Sequence, residues 1–485
     1  MRSKLLTELV SGINTLGGEI QARLNISEVV SDSRKIRPGA LFVAVRGFKS
    51  DGHRFLEKAA AAGAVAAVVE QVNPNLSIPQ IQVPNARLAL ACLTYNFYLP
   101  EIAAVEVTGI TGTNGKTTTS YLVRAIIEAS GTVCGLIGTI AHYFGTERID
   151  AQNTTPEATD ICAMISVMAQ EGQKACVMEV SSHALSLHRV AGLKYRAAVF
   201  TNLSRDHMDF YKDEDDYFLA KAQLFNQLLP DGKAVINIDD AYGRRLLQQI
   251  SNETITFGFS EKAAVRALEW KLDLPHMQVK LQTPEGSLNI KSSLISEFNV
   301  QNIMASVATG LALGISTDFI KKGIENVTQV SGRLETYELT PGVLGVIDYA
   351  HTPDALQKAL QALRPLTAKN LIVLFGCGGD RDRGKRPQMG KIAEELGDRV
   401  IVTTDNPRAE DARRIMDDIV AGMSRAEKRS EIVDRREAIQ AAVKMARPGD
   451  VILVAGKGHE SYQEINGVKY DFNEAAILLE AAKNA

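Results

Sequence analysis

One stretch constrains the fold of this chain more than any other. An apolar run at residues 103–110 passes into Thr111-Gly112-Thr113-Asn114-Gly115-Lys116-Thr117-Thr118, and a helical pattern continues from there to residue 129. Strand, glycine-rich turn and helix in that order describe a buried parallel strand feeding a crossover helix, so the chain needs an α/β sheet with covered faces. The same order suits a phosphate loop. Glycines let backbone N–H groups approach phosphate oxygens, and the helix N-terminus adds its dipole. Lys116 would reach the β- and γ-phosphates, and Thr117 would offer a hydroxyl to Mg²⁺. The general pattern asks for glycine where this chain has Ile110, so the loop is a variant, G-T-N-G-K-T. A glycine turn with a surface lysine is the plainer alternative, and the strand before and helix after it weigh against that.

The chain has 485 residues, which at roughly 150 per domain implies about three domains. With 45% apolar residues there is material for several cores, which excludes a disordered chain. The net charge of −3 gives no bulk attraction to nucleic acid or an anionic membrane. The five cysteines are odd in number and lack a C-x-x-C, so neither disulfides nor a zinc cluster is expected. Cys92, Cys134, Cys162 and Cys176 read as core residues, while Cys377 stands apart in a glycine loop. No apolar leader opens the chain, and its longest apolar stretch, 59–69, is interrupted by Gly63 and too short to span a bilayer. A soluble, monomeric protein of a reducing cytoplasm is expected.

Three rhythms follow one another. Residues 1–100 read as a small α/β unit, with strands at 40–45 and 64–69, a helix at 51–62 that Asp51 could cap, and Pro84 and Pro100 at its exit. Residues 101–330 continue the parallel pattern with strands at 103–110, 175–180, 197–201 and 234–238. Residues 331–485 carry strands at 345–347, 371–375, 400–403 and 451–455, with helical patterns beginning at Asp354, Lys385 and Glu410. That last region predicts a doubly wound, Rossmann-like sheet, whose ligands bind in the loops at the carboxyl ends of its strands.

Two strands of the middle region end in metal-binding chemistry. One runs into Glu179, followed by Ser181, Ser182 and His183; the other runs into Asn202, Asp206 and His207. An acid closing a buried strand beside a phosphate loop is where a Mg²⁺ ligand belongs, because hard cations take oxygen ligands alongside phosphates. A single histidine is more often structural, but two such strand ends flanking one loop favour a site.

These motifs together identify a resemblance. G-T-N-G-K-T-T (112–118), N-T-T-P (153–156), E-V-S-S-H-A-L (179–185), N-L-S-R-D-H-M-D (202–209), D-Y-A-H-T-P (348–353) and G-K-G-H-E (456–460) occur in the order found in Mur ligases. S-D-S-R-K-I-R-P-G-A-L-F (31–42) extends the match towards the start of the chain. The resemblance implies a UDP-muramyl substrate domain (1–100), a central ATP/Mg domain (101–330) and a C-terminal amino-acid domain (331–485). It implies an ATP-dependent, ADP-forming ligase of peptidoglycan synthesis that adds meso-diaminopimelate to the D-glutamate γ-carboxylate of UDP-N-acetylmuramoyl-L-alanyl-D-glutamate. A carboxylate is a poor electrophile, so ATP converts it to an acyl phosphate, which the incoming amine attacks.

The family pattern also assigns residues. Gly112, Thr113, Asn114, Gly115, Lys116, Thr117 and Thr118 would hold the ATP phosphates; Asn299 and Asn302 would lie near the adenine, and Arg333 and Asp348 would reach ATP from the C-terminal region. Ser33, Asn153, Thr154, Thr155, Ser181 and Arg189 would hold the UDP-muramyl substrate. At Leu187 some relatives have a glutamine that touches it. Thr117, Glu179 and His207 would bind Mg²⁺, joined by Lys221 as a CO₂-derived carbamate; Lys116, Lys221, His207 and Glu179 are thus the catalytic candidates. By itself, a helix lysine such as Lys221 reads as a solvated surface group. Arg381, Asp405, Asn406, Pro407, Arg408, Gly456 and Glu460 match the amino-acid pocket, with Arg408 expected as a buried fork for the second carboxylate of diaminopimelate. L-Lysine as the amine, a folate-glutamate ligase, and a nucleotide-operated switch are the rival readings.

Overall fold

The structure, a computed structural model, describes residues 3–18, 23–47, 50–273 and 276–484. Its chain divides into two compact units: one extends to Trp270 and includes Val279–Ile290 and Val300–Asn326, and the other includes Lys271–Gln278, Lys291–Asn299 and the chain from Val327 onward.

In the first unit, the strand Glu106–Thr111 lies between Ala175–Glu179 and Tyr195–Phe200, parallel to both. All but the edges of these strands are buried, which is why they read as unbroken apolar runs. They form the middle of an eleven-stranded sheet, whose parallel strands extend from Cys134–Ile137 to Val265–Asp273. The helix Lys116–Ala129 has the predicted bounds. A separate five-stranded sheet near the start of the chain contains Ala40–Val43 and Ala64–Val69.

Pro100 does not end an element as its sequence position suggests. The helix Ala86–Ile102 continues through it, and the next strand starts only at Glu106. Proline lacks the N–H that would bind the carbonyl four residues back. Lys4 Nζ donates to that carbonyl, Asn96 O, at 2.7 Å, so it does not remain orphaned.

The second unit is built on a six-stranded sheet in the order Glu335–Thr340, Val343–Asp348, Val451–Ala455, Leu371–Phe375, Arg399–Val402, Arg429–Glu431. The last five run parallel. Alternate residues serve two cores: Leu371, Val373 and Phe375 pack with Leu356, Leu360, Met389 and Ile415, whereas Ile372 and Leu374 pack with Ile439, Ala442, Ile477 and Leu478. Helices therefore cover both faces, and the strands' carboxyl ends are left to the loops.

The cysteines differ from expectation in two places. Cys134, Cys162 and Cys176 are core residues, but Cys92 is only half-buried. Cys377 is buried against Met389, with sulfurs 3.7 Å apart, and burial pushes its thiol up to about 12. It is an inert packing residue.

Arg386, fully buried, donates to Glu410 at 2.9 and 3.1 Å and to Asp418 at 2.9 Å. These bonds hold the Glu410 carboxyl down at about 2. A depressed carboxyl stabilises the fold above its unfolded pKa, and that contribution is lost as pH falls from about 4.5 towards 2. Glu410→Gln is expected to cost roughly 3 kcal/mol at pH 7, by leaving Arg386 short of a partner. The Tm gap between variant and unmutated protein should close as the pH approaches 2, and a gap independent of pH would contradict the pairing.

Candidate active site

The phosphate loop is shaped by two glycines with positive φ, Gly112 at 147° and Gly115 at 86°. A Cβ on Gly112 would collide with Thr201 Oγ1, and one on Gly115 with Asn302 Oδ1. The neighbouring strand end fixes the loop. Thr201 Oγ1 and Asn202 Nδ2 donate to Asn114 O at 2.6 and 3.1 Å, Asn114 N donates to Asn202 Oδ1 at 3.0 Å, and Thr113 N donates to Asn202 O at 2.8 Å. The helix that follows has no side-chain cap at Gly115, so its first N–H groups face the loop. That is the arrangement an anionic phosphate needs.

Two lysines converge on this loop. Lys116 Nζ donates to Gly112 O at 2.8 Å and Thr113 O at 2.9 Å, and Lys221 Nζ donates to Gly112 O at 3.0 Å. Lys221 is 1% exposed, the reverse of a solvated surface lysine. Its Nζ lies 4.3 Å from the Tyr217 ring centre. Burial pulls its pKa well below the ordinary lysine value, and the Lys116 charge adds to that shift.

Glu179, buried at its strand end, accepts from Thr117 Oγ1 at 2.9 Å, from Thr139 N at 2.9 Å and from Thr139 Oγ1 at 2.8 Å. Thr139 also meets Thr154 Oγ1 at 3.1 Å, and Thr155 Oγ1 donates to Glu179 O at 2.8 Å while accepting from Ser181 N at 3.0 Å. The N-T-T-P segment is thus stitched to the Glu179 strand. Arg189 Nη1 donates to Thr155 O at 3.0 Å, and its Nε pairs with Glu157 at 2.9 Å. Leu187 ends the short helix Ser182–Ser186. Asn153 is exposed, and Ser33 lies half-buried in a turn where Asp32 binds the Arg34 guanidinium at 2.8 Å. Neither bonds to the Glu179 cluster among the described residues.

His207 adopts a positive φ of 58°, with Asp206 Oδ1 accepting from its backbone N at 2.8 Å. Its ring stands edge-on to His183, 4.7 Å between centres. Partial burial lowers the pKa of His207, keeping the imidazole neutral with a lone pair to offer.

In the second unit, Asp348 closes its strand and accepts from Leu334 N at 2.8 Å and Ala350 N at 2.9 Å; burial raises its carboxyl. Arg333 lies over the Tyr349 ring at 5.3 Å. Asn299 donates Nδ2 to Ile295 O at 2.8 Å, and Asn302, in the first unit, is buried beside Gly115.

The loops carrying Asp405 to Arg408 and Gly456 to Glu460 meet through Asn406. Its Nδ2 donates to Glu460 Oε2 at 2.7 Å, and its Oδ1 accepts from Lys457 Nζ and Glu464 N, both at 2.9 Å. Gly456 touches the Asp405 carboxylate, because a Cβ there would meet Oδ2. Pro407 is buried and Arg381 is exposed. Arg408 departs from the expected buried fork. Its side chain is 23% exposed, its Nη1 donates to Gly379 O at 2.8 Å and its Nε lies 3.4 Å from Glu464. The turn puts Arg408 at a positive φ of 51°, and its guanidinium reaches the glycine loop at Gly379.

Residues 25–98 match the catalytic domain of the Mur ligase family, residues 110–310 its middle domain and residues 332–458 its glutamate ligase domain. The chain is 42% identical to UDP-N-acetylmuramoyl-L-alanyl-D-glutamate--2,6-diaminopimelate ligase of Geobacter metallireducens, over 97% of this chain and 96% of that protein. It is 40% identical to the protein of the same name from Alkaliphilus metalliredigens, over 99% of this chain and 97% of that one. The chain belongs to the Mur ligase family. A solved structure of a UDP-N-acetylmuramoyl-L-alanyl-D-glutamate--2,6-diaminopimelate ligase superposes with a TM-score of 0.73 at 31% identity, covering 99% of each chain.

For this Mur ligase, residue-level reading missed Thr139 and Lys457. Thr139 lies in no motif, and its role comes only from the meeting of separate segments at Glu179. Lys457 was inside G-K-G-H-E, but nothing in the sequence marks its Nζ as fully buried. Lys116→Ala is expected to keep the fold, by circular dichroism, and to lose about a hundredfold or more in kcat for ATP-dependent ligation. Turnover near that of the unmutated enzyme would refute the phosphate-loop assignment.

Proposed function

We propose that this chain is the ligase that joins meso-diaminopimelate to the D-glutamate γ-carboxylate of UDP-N-acetylmuramoyl-L-alanyl-D-glutamate, converting ATP to ADP and phosphate during peptidoglycan synthesis. Full-length likeness to ligases named for that reaction carries the reading. We keep three functional regions, 1–100 for the UDP-muramyl substrate, 101–330 for ATP and Mg²⁺ and 331–485 for the amino acid. A monomer working in the cytoplasm fits this reading; no described helix is long and apolar enough to cross a membrane.

The chemistry has two steps. The substrate carboxylate attacks the γ-phosphorus of ATP, giving an acyl phosphate and ADP. The amine then attacks the acyl carbon, and the tetrahedral intermediate expels phosphate as the nitrogen loses its proton. The chain's task is to orient the reactants and spread out phosphate charge. The uncapped N–H groups after Gly115 and the Lys116 ammonium face that charge. Asn299, Asn302, Arg333 and Asp348 would hold the rest of the nucleotide. Ser33, Asn153, Thr154, Thr155, Ser181 and Arg189 would hold the muramyl substrate, with Ser181 and Thr155 fixed to the Glu179 strand.

The residues present suit Mg²⁺. Thr117 Oγ1 and Glu179 Oε2 are two oxygen donors in contact at 2.9 Å, and His207 offers a neutral imidazole. Among the described residues no group of three or more His, Cys, Asp or Glu side chains could hold a metal ion by itself; Mg²⁺ keeps water and phosphate oxygens among its ligands, so these side chains would supply part of its shell. When bound, Mg²⁺ supplies positive charge to the phosphates. Lys221 suits the proposed carbamate, because its depressed pKa leaves free amine to add to CO₂. The amine nitrogen bonds to the carbon of CO₂ and gives up a proton, leaving an anion beside Lys116 that the ammonium attracts. Lys221→Ala is expected to lose most activity, and small carboxylates such as formate should restore part of it. A fully active alanine variant would rule the carbamate out.

Diaminopimelate differs from L-lysine by a carboxylate beside its distal amine. Arg408 is proposed to receive that carboxylate, with Asp405, Asn406, Pro407 and Gly456 forming the wall, Glu460 facing the ammonium and Arg381 at the rim. Lysine lacks the carboxylate that would add charge-assisted bonds to Arg408, so diaminopimelate should be preferred over lysine by roughly a hundredfold in kcat/KM. Arg408→Ala should erase most of this preference and leave the KM for ATP unchanged. Product analysis with UDP-muramyl dipeptide, ATP and either amine checks both. Equal use of the two amines would sink the assignment, and phosphate release without an amide would favour a switch.

A further inference from the structure

Arg435 opens the helix Arg435–Met445, directly after its Asp434 cap. A cation in the first turn opposes the helix dipole, and this one is fully buried. Helix preference therefore does not account for it. Its contacts do. Nη1 donates to Thr404 O at 3.0 Å, Nη2 donates to Ala455 O at 2.8 Å, and Nε donates to Glu474 Oε1 at 2.6 Å.

The two carbonyls belong to chain ends that are not neighbours in the sheet. Leu371–Phe375 lies between Val451–Ala455 and Arg399–Val402. The middle strand runs into Gly376, and a Cβ there would collide with Thr403 O. The missing side chain lets the outer chain end fold over the middle strand, within reach of one guanidinium. Each carbonyl also stands immediately before a candidate amino-acid segment: Thr404 before Asp405 to Arg408, and Ala455 before Gly456 to Glu460. Beyond this point the segments meet again where Gly456 closes on the Asp405 carboxylate and where Asn406 bonds to Lys457 and Glu460.

We infer that Arg435 is a positioning residue for the amino-acid substrate: by bonding both carbonyls it fixes the spacing between the Asp405–Arg408 turn and the Gly456–Glu460 loop, and so the length of diamino acid that fits between them. This rests on the ligase reading above. Glu474 holds the plane of the guanidinium from the start of the helix Glu474–Lys483. The planar fork reaches two acceptors from one rigid group, and a lysine in its place is a single point donor.

The test compares the unmutated protein with Arg435→Lys and with the double variant Arg435→Met/Glu474→Leu, which replaces the buried pair by apolar side chains of similar size. The KM for diaminopimelate is expected to rise about tenfold or more in both, with the KM for ATP and for UDP-muramyl dipeptide changed less than about twofold. Hydrogen exchange in the substrate-free protein should quicken at the amides of 405–408 and 456–460 and stay slow in the strand Val451–Ala455. An unchanged amine KM with unchanged loop exchange overturns the inference. So does a common shift of all three KM values with exchange quickened throughout the sheet, or failure of both variants to fold, because Arg435 would then be a general brace. If the unmutated protein does not ligate diaminopimelate, the ligase reading fails on its own, and the exchange comparison still decides whether Arg435 sets the loops.

Discussion

At Gly112 and Gly115 the backbone passes so close to Thr201 and Asn302 that no side chain fits between them. The rest of this strand-end site follows from that approach. It lets Thr201 and Asn202 bind the loop from the adjacent strand, it leaves the first N–H groups of the Lys116–Ala129 helix open, and it turns the Gly112 carbonyl towards both Lys116 and Lys221. A parallel sheet supplies the setting. Its strands end side by side, so residues distant in sequence, such as Thr117, Thr139 and Glu179, become hydrogen-bonded neighbours.

The second unit solves a related problem with buried cations. Arg386, Arg435 and Lys457 are all withdrawn from water, and each is matched to carboxylates, amides or carbonyls near the carboxyl ends of the strands. Desolvating such groups is costly unless every charge has a partner. The arrangement therefore tolerates little rearrangement, which keeps the loops at these strand ends at fixed points.

Much of the architecture was legible because fully buried strands leave a plain mark. Leu371–Phe375 and Val451–Ala455 appear in the sequence as apolar runs with the bounds they have in the structure. The pair His276–Thr283 and Gly286–Ser292 went unread, since an alternating strand with one wet face blends into polar surroundings. Pro100 misled because its helix is completed by a side chain from the start of the chain. The turn at Gly112 to Gly115 was legible as a glycine-rich link between strand and helix, whereas Lys221 looked like any surface lysine without the family pattern. Arg435 left no mark at all. Its partners lie 31 and 20 residues away, and an arginine at a helix start suggests solvent.

The bond from Lys4 to Asn96 across the gap left by Pro100 has a practical side. It joins positions 92 residues apart and ties Lys4 to a helix far along the chain. Replacing Lys4 would therefore reach the Ala86–Ile102 helix, because one of its backbone acceptors is satisfied from outside it. Protein engineers should treat Lys4 as a working component of that helix.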